Sequence, residues 1–337
     1  MVANTRKKRK RIDPVGFATT PEQLEPAVRN VAERNQSALS KTKEVMGAAD
    51  VVAVLSPHDD YAYALLHYLH VVPLVAEART VMIFGVTHEP ARNLLQGRQG
   101  GVLLDDHEEW EAPYGPVSTD KELLEAIEKE MPVELARIDR DAHELEHSIE
   151  ALVPLLQMEN RDVKLLPVMV TKMAVTSMVE SSRRLASIIF SYCREKKLVL
   201  GHDLAFIFSG DAVHYGPDFD YHPFGLDMGA HDKATARDRE IFKTYLEGIV
   251  EPPKIIAFAE RLLEQGVTWC PRYSLPYGLL FLSEMAGLEG RNLRGTMLSY
   301  GDSYRDEPLP RELGLGTTAP RSLEHFVGYI AAAFTFE

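Results

Sequence analysis

Residues 51 to 64 read "VVAVLSPHDDYAYA", and the order of residue types in this stretch decides the fold class. Val51 to Leu55 form a short, valine-rich apolar run, as expected of a strand buried on both faces. Ser56-Pro57 ends the run, and "YAYALLHYL" then continues with helical character. A buried strand that feeds a helix is the building unit of a largely parallel sheet. The same kind of run recurs at "TVMIFGV" (80–86), "VKLLPVMV" (163–170), "LAFIFS" (204–209) and "GTMLSY" (295–300). Helical stretches lie among them. Residues 19 to 47 offer Thr20 as N-cap with Pro21 in the first helical position, and residues 177–197 and 252–266 carry further helices. These signals predict an α/β fold, a single domain over residues 15–337 with a central mainly parallel or mixed sheet flanked by helices.

Composition narrows the function classes. The chain has 337 residues, 45% of them hydrophobic, and no internal repeat, low-complexity segment or dividing linker. No apolar stretch approaches the ~18 residues of a membrane span, and no apolar segment follows the basic N-terminus as a secretory signal requires, so a cytoplasmic protein is expected. Cys193 and Cys270 are too few and too far apart for a disulfide framework and read as free thiols. A net charge of −13 argues against a general nucleic-acid surface. The exception is "RKKRKR", Arg6 to Arg11, six consecutive cations. Such a run predicts a disordered basic arm over residues 1–14, dispensable for folding and capable at most of weak polyanion binding.

Three histidines stand where loops leave the apolar runs: His58 after "VVAVLSP", His88 after "VMIFGVT" and His214 after "LAFIFSGDAV". Ligands of open α/β sheets bind beyond the carboxyl ends of the strands, where several loops converge over a rigid base. Asp211 precedes His214 by three residues, a spacing that lets a carboxylate orient an imidazole. In "EHSIEALVPLL", Glu146 and His147 precede an apolar helix for which Ser148 can serve as a plain N-cap. Cys270, in "GVTWCPRYSLPYG", is either a soft ligand or nucleophile near a helix start or a small buried hydrophobe.

In their order and approximate spacing, "SPHDDYAY", "FGVTHEP", "EHSIEALVPLL", "SGDAVHYG" and "TWCPR" resemble the landmarks of the Memo family, the B protein of the AmmeMemoRadiSam system, over about residues 15 to 337. The resemblance implies a fold like that of class III extradiol dioxygenases. It also implies a metal pocket in which His58, His88 and Cys270 are ligands of iron or copper, with zinc as a third candidate, faced by Asp211 and His214 as catalytic residues. Asp60, Tyr61, Glu89, Glu146, His147 and Arg272 are expected to line the substrate pocket. Association with a radical SAM protein and an AMMECR-like protein is implied as well. Asp59, Asp60 and Glu89 stand where the family usually carries Ala, Gly and His, so they add negative charge to this pocket.

Two imidazoles and a thiolate are borderline-soft donors that suit Fe(II), Cu or Zn, and three ligands leave coordination positions open. Three functions fit: a metal-dependent oxidoreductase of dioxygenase ancestry with His214 moving the proton, a metal-assisted hydrolase, or a binding protein that retains an enzyme-like pocket. Neighbouring residues of an extended loop point to opposite sides. Asp60 is therefore expected on the pocket side with His58 and Asp59 away from it, unless both aspartates cap the helix that follows.

Overall fold

The computed structural model describes residues 7–264 and 266–337 of the chain. Four parallel strands form its centre, in the order Val51–Ser56, Leu204–Ser209, Thr80–Gly85 and Lys164–Val170. Antiparallel strands extend the sheet on both sides. Phe326–Phe336 pairs with Val51–Ser56 and carries Leu293–Asp302 and Gly248–Ile249 beyond it, while Val102–Leu104 and Ala136–Ile138 continue from Lys164–Val170. With His214–Tyr215 paired to Phe326–Phe336, the sheet of the described residues is mixed, ten-stranded, and flanked by helices.

Side-chain alternation explains the layers. Leu55, Met82, Phe84, Phe206, Phe208, Leu166 and Val168 face one core, whereas Val54, Val81, Ile83, Ala205, Ile207 and Leu165 face the other. Each central strand is apolar throughout because both of its faces are covered. One core is closed by helices that include Val175–Lys196, Pro252–Leu263 and Ser274–Leu288, the other by Pro21–Arg34 and Tyr61–Val71. Pro21 does open its helix with Thr20 as N-cap, but the Thr20 side chain makes no capping bond. Cys193 lies in the first core, where burial pushes its thiol up to about 12, so it behaves as an inert hydrophobe.

The basic arm departs from expectation. Residues 1–6, including Arg6, lie outside the described residues, but Lys7 to Pro14 dock on the body. Lys8–Arg9 form a short strand parallel to Glu109–Trp110. Arg9 is 1% exposed; its guanidinium pairs with Glu150, donates to the carbonyls of His143 and Glu146, and lies 4.6 Å from the centre of the Trp110 ring. The Glu150 carboxylate also accepts the N–H groups of Ile12 and Asp13 at 3.0–3.1 Å. A run of like charges predicts self-repulsion only while its partners are unknown. Glu150, 141 residues away, supplies the compensating charge.

Candidate metal centre

The parallel central strands bring their carboxyl ends to one edge, and the loops that leave them carry the chemistry. His58 follows Val51–Ser56, His88 follows Thr80–Gly85, and Asp211 and His214 follow Leu204–Ser209. Cys270 sits just ahead of the helix Ser274–Leu288. One ligand atom from each of His58, His88 and Cys270 lies within 4.8 Å of the other two.

Hydrogen bonds fix which nitrogen each imidazole presents. Ser209 Oγ donates to the Ser148 carbonyl at 2.5 Å, so it accepts from His58 Nδ1 at 2.9 Å. The lone pair of His58 then resides on Nε2, 3.4 Å from Cys270 Sγ. His88 is held the same way. Its main-chain N–H and its Nδ1 both donate to the Glu146 carboxylate, at 2.6 and 2.7 Å, leaving Nε2 free. Burial alone pushes the Glu146 carboxyl up, but the neighbouring His88 and its hydrogen bonds, with His147, outweigh this and hold it at about 2. A buried carboxylate on the far nitrogen is the support that metal-binding histidines use to fix tautomer and orientation. Burial keeps the Cys270 thiol well above its ordinary range, so a metal would displace its proton on binding. The donor set therefore fits a borderline-soft metal with open positions.

Asp211 does not do what its spacing to His214 suggested. Its carboxyl accepts the His58 N–H at 3.1 Å and lies 3.3 Å from His58 Nε2, while its main-chain N–H points at Cys270 Sγ, 3.0 Å away. His214 instead donates from Nδ1 to the Ala212 carbonyl at 3.1 Å. Its main chain is clamped to the Thr268 hydroxyl, and burial lowers the ring to about 4, leaving a neutral imidazole with Nε2 free. The two residues still meet at the centre, since Asp211, His214 and Cys270 also offer atoms within 4.8 Å of one another. His147 stacks on His88, ring centres 4.4 Å apart.

A cleft of two lobes surrounds this cluster. The larger, about 580 Å³, is lined by Glu89, Arg92, Lys172, Thr268, Cys270, Arg272 and Ser274. The smaller, about 240 Å³, is lined by Asp13, Phe17, His58, Asp59, Asp60, Tyr63 and Asp211. His88, His147, His214 and Phe219 border both. Roomier depressions, such as the one bounded by Asp106, Glu125, Glu128 and Arg140, are surface grooves away from the histidines.

Glu89, His147, Arg272 and Asp60 line the cleft, and Tyr61 and Glu146 do not. The Tyr61 ring is buried in the core with its hydroxyl on the Ala151 carbonyl, because it opens the helix Tyr61–Val71; Tyr63, about 200° further round, takes the cleft position. Glu146 stands behind His88. Ser148 caps no helix; its hydroxyl accepts the Val86 N–H at 3.1 Å. Asp59 and Asp60 both border the small lobe and neither side chain caps the helix. Asp60 accepts from Thr318, with burial and then Asp59 raising it to about 7, whereas Asp59 receives the Asp60 N–H at 2.7 Å and the Tyr329 hydroxyl at 2.5 Å. The sequence reading missed Ser209, Lys172 and Arg92. For Ser209 a signal existed, a hydroxyl closing an otherwise apolar strand; Lys172 and Arg92 carried none.

The fold and site define an α/β protein with a two-histidine, one-cysteine cluster at the carboxyl edge of its sheet. A profile described as Memo-like protein matches residues 17–305, and the chain belongs to the Memo family. Among similar curated proteins, a MEMO1 family protein of Methanosarcina mazei is 29% identical over 75% of this chain and 79% of its own length. One from Methanococcoides burtonii is 29% identical over 67% of the chain and 72% of its own length. One from Methanosarcina barkeri is 25% identical over 50% of the chain, and the match spans 56% of that relative. Among the described residues no helix is long and apolar enough to cross a membrane.

Proposed function

We propose that this chain is a metal-dependent oxidoreductase of extradiol-dioxygenase ancestry, holding iron or copper through His58 Nε2, His88 Nε2 and Cys270 Sγ. What carries the reading is the convergence of three donors with both imidazoles held by their far nitrogens, on Ser209 and on Glu146. A metal bound there supplies a redox couple and open coordination positions. The chain supplies the rest. His214 is neutral, its Nδ1 committed to the Ala212 carbonyl, so its Nε2 can accept a proton from a substrate hydroxyl in the cleft. Asp211 holds the His58 main chain and the Cys270 loop in register. Phe219 borders both lobes and Phe17 the smaller one, giving each an apolar wall.

Elemental analysis of the protein purified from its own source tests this directly. Stoichiometric iron or copper is expected, lost in Cys270→Ala and His88→Ala variants whose circular dichroism is unchanged. Stoichiometric zinc, with turnover of ester or peptide substrates that survives the removal of dioxygen, would instead establish a hydrolase.

A further inference from the structure

We infer that the larger lobe of the cleft is an oxyanion subsite that takes the carboxylate or phosphate group of a small-molecule substrate. The inference deepens the proposed function, since it rests on the cleft being a substrate site.

Arg92, Lys172 and Arg272 come from three separate segments and line one cavity of about 580 Å³, where they outnumber its single lining carboxylate, Glu89. None of the three forms an ion pair with a carboxylate of the described residues, although acidic residues outnumber basic ones, 50 to 37. Two of them are oriented by main-chain acceptors. Arg92 donates to the Thr87 carbonyl at 3.0 Å and Arg272 to the Trp269 carbonyl at 3.3 Å, which leaves each guanidinium with further N–H groups to offer. The second observation is independent of charge. Ser274 lines the same cavity, is 1% exposed, and its hydroxyl has no hydrogen-bond partner among the described residues. A buried, unpaired hydroxyl is costly unless a ligand completes it. Ser274 also begins a 15-residue helix, whose positive end therefore adds to the field in the lobe.

The other lobe sets the polarity of the ligand. Asp13, Asp59 and Asp60 border it and no Lys or Arg does. An anionic group finds no cationic partner there and is drawn to the arginine side, with the two lobes meeting at His88, His147 and His214. The substrate class is thus a molecule with its oxyanion at one end and an uncharged or cationic group at the other, spanning the metal ligands.

Isothermal titration of the full chain, both chelator-treated and metal-loaded, with inorganic phosphate, phenyl phosphate, benzoate and phenol tests the proposal. The three anions should bind saturably and phenol should not, with affinity falling as salt rises. Whichever of phenyl phosphate and benzoate binds more tightly identifies the group. Arg272→Gln and Lys172→Gln should each weaken anion binding by about tenfold, the loss of one charge-assisted hydrogen bond, while Lys196→Gln, on the Glu122 surface pair, leaves it unchanged. Lys172→Gln lies far in sequence from Cys270, so it separates anion binding from any disturbance of the metal loop. Phenol binding as tightly as phenyl phosphate, or anion binding unaffected by both cleft variants, would overturn the subsite. Absence of metal uptake with anion binding intact would refute the metal reading alone.

Discussion

Glu146 holds His88 by both its main-chain N–H and its Nδ1, so one buried carboxylate fixes the position and the tautomer of one imidazole of the cluster. Nothing else in the described structure bonds to the His88 ring. Glu146→Gln is expected to reduce metal affinity by roughly 10- to 100-fold, the usual cost of removing such a support. Competition with a chelator of known affinity measures it, and an unchanged affinity would show that His88 is held by packing on His147.

The Arg9–Glu150 pair predicts that the N-terminal segment is part of the fold. Arg9→Met leaves the Glu150 carboxylate buried with only the main-chain N–H groups of Ile12 and Asp13, and should destabilise the protein by about 3–5 kcal/mol. Arg9→Met combined with Glu150→Leu should recover much of that loss. Urea unfolding of the three proteins reads both outcomes. Wild-type stability in the Arg9 variant would return the segment to the status of a loose arm.

Acid sensitivity should trace in part to His70. Burial, with a smaller contribution from His67, lowers this imidazole to about 4, and its Nδ1 is bonded to the Thr42 hydroxyl at 2.6 Å. An unfolded histidine titrates near 6.5. Between about 4 and 6.5 the unfolded chain binds more protons than the native one, so stability rises with pH across that window and is lost as pH falls through it. His70→Gln should flatten the decline of melting temperature between pH 7 and pH 5. An equally steep decline in the variant would assign the sensitivity to other groups.

Gly278 is the point where the helix Ser274–Leu288 meets the central sheet. A Cβ there would come within 2.1 Å of the Phe208 ring, on the strand that ends at Ser209. Alanine normally favours a helix by about 1 kcal/mol over glycine, but here the overlap should reverse the sign, for a net loss of roughly 1–3 kcal/mol. Thermal unfolding of Gly278→Ala tests it, and a stabilised variant would mean that the Phe208 ring can turn aside.

The sequence by itself determined the elements at the centre of the sheet and, through the family resemblance of its motifs, pointed to the three residues that cluster at the sheet edge. Apolar runs such as "LAFIFS" and "TVMIFGV" form strands because burial on both faces admits little else, and His58, His88 and Cys270 are each placed by the short segments that carry them. The strand Phe326–Phe336 was not legible. Its "YIAAAF" centre has no alternation and is as apolar as a buried helix, and only the partners Leu293–Asp302 and Val51–Ser56 make it a strand. The roles of charged groups were decided by tertiary structure alone. Arg9 found Glu150, Asp211 turned to His58 rather than His214, and Lys172, Arg92 and Arg272 met in one cavity. Burial of apolar runs follows from local composition, whereas the energy of a charge depends on which group stands within a few ångströms of it. For these residues that group comes from a distant part of the chain.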